Sequence, residues 1–225
     1  MRLNMGSFMH SRRSEGLDED AATPAGTIYY LQTSTPHLYD ISVSGPYHSV
    51  EAIVAQAMHN FGDECRWGQS ALQELVRDGM FLDAEHITSP INNDPNRTMT
   101  IRVLKEHNPT MAARLPGPAW YVLVGKMAAD QMGNAIHTRR EHVPVEDMRV
   151  HGTFETEPLA VTAAQMVAEK LAAGTRRGRV TDRRNSAEGG AFAALITGQS
   201  ADGSQMMRMV HVRYDDGTVV PTSLD

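Results

Sequence analysis

The sequence predicts an α+β fold in which antiparallel sheet is covered on one face by a few amphipathic helices. Apolar residues recur at helical spacing in two stretches, one behind Ser49 and one behind Thr156. Short runs rich in Val, Ile, Tyr and Thr, bounded by turn residues, fill much of the rest and close the chain in a hairpin pattern. Finally, Ile41–Phe61 and His142–Leu171 share one grammar of strand, glycine, aromatic, hydroxyl and helix. Val43/Val150, Gly45/Gly152, Tyr47/Phe154 and Ser49/Thr156 match, followed by helices displaced by one turn. These matches suggest a pseudo-duplicated strand–helix plan, although strand-to-helix junctions often use a glycine and then a hydroxyl cap without common ancestry. The expected organisation is a flexible N-terminal arm (1–25), a first α+β half (26–112) and a second (113–225). The two halves could join in one continuous domain.

In chain order, Met1–Ala25 lacks either periodicity and carries Arg12, Arg13 and the acidic run Asp18–Asp20. Thr27–Gln32 and Leu38–Val43 are β-favouring and flank Thr35-Pro36, so they are expected to pair as a hairpin. Ser49 is the expected N-cap of a helix whose inward face is Val50, Ile53, Val54, Ala57, Met58 and Phe61, ended by Gly62. A second helix over Gln69–Asp78 should turn Leu72, Leu75 and Val76 inward and stop at Gly79. Ile91–Asn96 is a turn cluster, and Arg97–Lys105 alternates with Met99, Ile101 and Val103 on one face. His107–Pro118, with its prolines, marks the boundary between halves around a single helical turn.

Trp120–Gly125 has strand length, Asp130–Asn134 is a polar turn, and Ala135–Arg139 is expected to return antiparallel. Val143–His151 extends again, Gly152 turns, and Thr156 opens a helix that tolerates Pro158 in its first turn. That helix presents Ala160, Ala163, Ala164, Val167, Ala168 and Leu171 and closes at Gly174. Thr175–Gly190 has no periodicity and reads as a long arginine-rich loop. Ala191–Thr197 and Gln205–Tyr214 form the final hairpin around Asp202-Gly203, and Asp215-Asp216-Gly217 turns the chain toward Val219 and Val220.

Composition limits function more than it assigns it. A 225-residue chain with 41% hydrophobic and 21% charged residues can bury a core unaided. A formal charge of −6 argues against a general nucleic-acid coat. The single cysteine, Cys65, forbids an internal disulfide and reads as a structural thiol. No apolar run reaches the ~18 residues of a membrane span, and the polar start has no secretory core, so a cytoplasmic protein is expected. Fourteen methionines point to an adaptable core.

Ten histidines invite a search for chemistry. His86-Ile-Thr88 and His151-Gly-Thr153 both read His-x-Thr. On regular strands, spacing by two puts imidazole and hydroxyl on one face. Two such pairs facing each other could serve a two-histidine phosphoesterase acting on a cyclic or nucleotide phosphate. One imidazole would take a proton, the other would return it, and the hydroxyls would hold the phosphate. His137, His142 and His151 lack zinc-type spacings, so no metal or other cofactor is expected. Gly68-Gln-Ser70-Ala-Leu72 and Gly198-Gln-Ser200-Ala-Asp202 lack the closing glycine of a nucleophile elbow, and there is no P-loop or dinucleotide fingerprint.

The remaining feature is charge: Arg176, Arg177, Arg179, Arg183 and Arg184 crowd the long loop, where guanidinium forks match phosphates and carboxylates. The favoured function is therefore a non-catalytic binding protein that engages a protein or nucleic acid through that loop. The alternatives are the phosphoesterase and a subunit of a homo-oligomer, with Met206, Met207 and Met209 ordering against neighbours.

Overall fold

The computed structural model describes residues 25–38, 40–127, 145–182 and 192–217. Most of the expected N-terminal arm, the strand expected at Ala135–Arg139, His137, His142, Arg183, Arg184, Val219 and Val220 lie outside the described residues.

The chain opens with β1 (Thr27–Thr35), a 3₁₀ turn at Pro36–Leu38 and β2 (Asp40–Tyr47), paired antiparallel as the sequence predicts. Helices α1 (Val50–Phe61) and α2 (Arg66–Arg77) follow. Next come β3 (Ile87–Ile91) and β4 (Asp94–His107), joined through Asn92 and Asn93, both at positive φ. Asparagine tolerates that conformation better than most residues, which suits a tight hairpin. The first sheet is ordered β2-β1-β4-β3 and is antiparallel throughout.

A short helix, α3 (Pro109–Ala112), leads into β5 (Ala119–Met127). Then come β6 (Val145–Phe154), α4 (Glu157–Ala173), β7 (Arg176–Asp182), β8 (Phe192–Gln199) and β9 (Gln205–Asp215). Their order in the second antiparallel sheet is β6-β5-β9-β8-β7.

Burial parity shows how the layers stack. Tyr29 and Leu31 of β1 pack with Ile53, Ala57, Phe61 and Leu72 of α1 and α2. The alternate residues Ile28 and Tyr30 pack instead with Tyr121, Leu123 and Met148 of the second sheet. Val122 of β5 then turns outward with Val210, Val212 and Ile196 against Ala160, Ala164 and Ala168 of α4. The sequence of layers is helices, sheet, sheet, helix. This explains why β1 and β5 read as apolar runs and not as clean alternations: both of their faces are covered. It likewise explains the apolar residues on both faces of β9, which lies between β5 and β8. The alanine stripe of α4 lets the helix approach the sheet closely, whereas α2 leaves Val76 39% exposed against the expectation that it points inward.

The matched positions play matching parts. Removing β7 leaves β6-β5-β9-β8, the same plan as β2-β1-β4-β3. Val43 and Val150 face the space between the sheets, while Tyr47 and Phe154 pack toward the helices. Both strands slip register in between, β2 opposite Tyr29/Leu31 and β6 opposite Val122/Leu123. In β2 the slip needs Gly45, at φ +119, where a Cβ would meet the Tyr29 carbonyl at 2.9 Å. Both helices start directly after their caps, so the expected one-turn displacement is absent.

Ser49 and Thr156 have nearly the same cap conformation, φ/ψ −136/156 and −136/150. Only Ser49 uses its side chain, accepting from Ala52 N at 3.2 Å. Ser49→Ala is therefore expected to cost about 1 kcal/mol and Thr156→Ala a few tenths at most, read from urea unfolding midpoints. Equal losses would contradict this difference between the caps.

Candidate functional site

The two His-x-Thr motifs do not share a cavity. His86 and Thr88 line one of about 330 Å³ on the sheet-facing side of the first sheet, with Gln32, Ser34, Thr100 and Arg102. There the spacing of two works as expected, and Thr88 Oγ1 lies 2.9 Å from Thr100 Oγ1. His151 and Thr153 part company. His151 is the extra residue at the register slip of β6, so alternation breaks at that point. Its imidazole lines a second cavity, on the α4 side of the second sheet. Thr153, 4% exposed, turns the other way, and its Oγ1 bonds Glu106 and Tyr30 between the sheets. The paired-histidine arrangement thus loses its geometric premise, because parity was argued for an unbulged strand.

The second cavity is a cleft of about 480 Å³ between the C-terminal half of α4 and the outer face of the second sheet. Val124, Val167, Leu171 and Met206 supply an apolar floor, while Arg149, His151, Lys170 and Arg208 bring basic groups to it. No carboxylate is among the described residues that line it. Lys170 stands in the last turn of α4, where the carbonyl end of the helix dipole favours a cation. Arg149 Nε pairs with Asp147 Oδ2 at 2.9 Å on the exposed surface, and Arg208 Nε donates to Met206 Sδ at 3.3 Å. These contacts orient the two side chains and, among the described residues, leave most guanidinium donors available.

The arginine-rich segment is not a loop at its start. Arg176–Asp182 forms β7, an edge strand that among the described residues pairs only with β8. Its register slips between Arg176 and Arg179, with Arg177 at φ +57. At Gly178 the backbone passes so close to α4 that an added Cβ would lie 2.1 Å from the Ala172 carbonyl oxygen. Arg176, Arg177 and Arg179 are exposed. Thr175, which lines the cleft, immediately precedes them, so the basic rim continues along the sheet edge. An edge strand also leaves one row of backbone donors and acceptors open to a partner.

Other expected features resolve simply. Cys65 is fully buried in the core beneath α1 and α2. Met207 is buried and Met206 is on the cleft floor. Gly68-Gln-Ser70-Ala-Leu72 lies within α2, where the Gly68 amide donates to Ser89 Oγ at 3.0 Å. Among the described residues no group of three His, Cys, Asp or Glu side chains could hold a metal ion, and no helix is long and apolar enough to cross a membrane.

Compared with protein-family models, with curated proteins and with solved structures, the chain finds no match.

Proposed function

We propose that this protein is a binding module that takes an acidic, partly apolar segment of a partner protein into the cleft between α4 and the second sheet. One observation carries the reading: four basic side chains surround an aliphatic floor, and no carboxylate is among the described residues that line it. Arg176, Arg177 and Arg179 on the adjoining edge strand extend the contact to further acidic groups. A protein suits the site better than a nucleic acid. Among the described residues the lining offers no Phe, Tyr or Trp platform for bases, and the chain's charge of −6 opposes a phosphate backbone away from the cleft.

The test is fluorescence anisotropy with a labelled peptide of about twelve residues mixing Glu and Leu, beside a labelled oligothymidine. Binding of the peptide should weaken at least about tenfold in Lys170→Glu/Arg208→Glu and should fall as salt rises from about 50 to about 300 mM. A peptide that does not bind, or binds the double variant equally well, would sink the proposal. Tighter binding of the oligonucleotide than of the peptide would count against a protein partner.

A further inference from the structure

The cavity beside His86 lies on a different surface from the cleft. The sheet-facing side of β1 and β4 changes character along its length. Ile28 and Tyr30 are fully buried against the second sheet, with Leu104 packed beside them. Beyond Tyr30, the residues on the same face become Gln32 and Ser34, paired across the sheet with Arg102 and Thr100, and Thr88 lies across from Thr100 on β3. All five line the cavity, joined by Glu85 and His86.

Gln32 is 7% exposed and its Oε1 is sealed from solvent, so the groups that face the cavity's open space are the charged and hydroxyl-bearing side chains. Glu85 and Arg102 bring one carboxylate and one guanidinium to the same cavity, and neither forms an ion pair or side-chain hydrogen bond among the described residues. Among the described residues the wall therefore offers a guanidinium, a carboxylate, an imidazole and three hydroxyls, without a bulky apolar side chain.

We infer that this cavity binds a small zwitterion of amino-acid size. Its carboxylate pairs with the Arg102 guanidinium and the hydroxyls of Ser34 and Thr100, and its ammonium pairs with Glu85. A volume of about 330 Å³ and polar walls favour amino acids with short or polar side chains. The inference is independent of the acidic-segment cleft, since the two cavities share no lining residue.

The experiment is a thermal-shift screen of the full-length chain with the free L-amino acids, and with glucose and glycerol as uncharged polyols, followed by calorimetric titration of any amino acid that raises the melting temperature. At least one amino acid should bind. Its affinity should drop about tenfold or more in Arg102→Gln and in Glu85→Gln, with Arg77→Gln as the charge-matched control that leaves it unchanged. Arg102 and Glu85 are exposed, so both variants are expected to fold, as far-ultraviolet circular dichroism will verify. A screen in which no amino acid binds, binding that persists in both variants, or a polyol that does as well as the best amino acid would each overturn the inference.

Discussion

Replacing Glu106 by alanine is expected to destabilise the protein by about 3–5 kcal/mol, the cost of leaving several donors between the sheets without their acceptor. Glu106, on β4, takes donors from both sheets. Its Oε1 accepts from the Thr153 amide at 3.1 Å and Asn108 Nδ2 at 3.0 Å, and its Oε2 accepts from the Tyr30 hydroxyl at 3.1 Å and from Thr153 Oγ1. Asn108 Nδ2 also donates to the Thr153 carbonyl at 3.1 Å, while its Oδ1 caps α3 by accepting from Met111 N at 3.2 Å. One carboxylate thus fastens β1, β4 and the α3 entry to β6 of the opposite sheet. Burial first, and then the neighbouring carboxylate, push the Tyr30 phenol far above its ordinary value, so it stays protonated and available as a donor. Alanine would strand a fully buried hydroxyl and a nearly buried threonine without their charged acceptor. Urea unfolding should show a lower midpoint with an unchanged slope, and Glu106→Gln, which keeps one oxygen, should lose less. A loss below about 1 kcal/mol, typical of a surface carboxylate, would show that the network does not tie the sheets together.

Elements whose identity is set by their own side-chain pattern are legible in the sequence. The β1–β2 and β8–β9 hairpins, α1, α4 and the alternation of β4 all belong to that group. Two strands escape, and both are edges. β3, ITSPI, contains Pro90, which an edge strand tolerates because its missing N–H can face away from the ladder. β7, with its three arginines, has no inward pattern, and Arg176, Arg177, Arg179 and Val180 are all exposed. In each case the neighbouring strand determines the conformation, so composition alone reads as a loop. The bulge at His151 leaves a trace in Gly152, which reads equally as a turn, and this ambiguity misplaces the imidazole relative to Thr153. The cleft is the least legible feature. Arg149, Lys170 and Arg208 are far apart in sequence and meet only through the β6-β5-β9 order and the seating of α4 over those strands. The polar cavity of the first sheet is likewise a property of register, since Gln32 and Arg102 become neighbours only when β1 pairs with β4.

Stability is also expected to fall as pH drops through the range below neutrality, and His211 is the residue to which that slope should trace. It sits on β9 opposite Leu123 and Ala193, on the face turned toward the first sheet, and its buried Nε2 has no hydrogen-bond partner among the described residues. Burial, and then the positive charge of Arg213, push the imidazole down to about 4. The sign follows from proton counts in the two states. Unfolded, the imidazole takes up a proton near pH 6.5, whereas folded it stays neutral until about pH 4. Between those values the unfolded chain holds the extra proton, so the contribution is fully present above about pH 6.5 and is lost as pH falls toward about 4. At its full extent the loss amounts to about 3 kcal/mol. Carboxylates titrate in the lower part of the same range, among them Asp215, whose carboxyl is raised chiefly by burial. The informative quantity is therefore the difference between wild type and His211→Leu. Urea midpoints measured from about pH 7 to about pH 4.5 should show the wild type losing ground that the variant keeps. Parallel slopes would mean that the imidazole protonates freely in the folded protein, with water reaching it between the sheets. A slope confined to the wild type would assign the missing proton to that one buried ring.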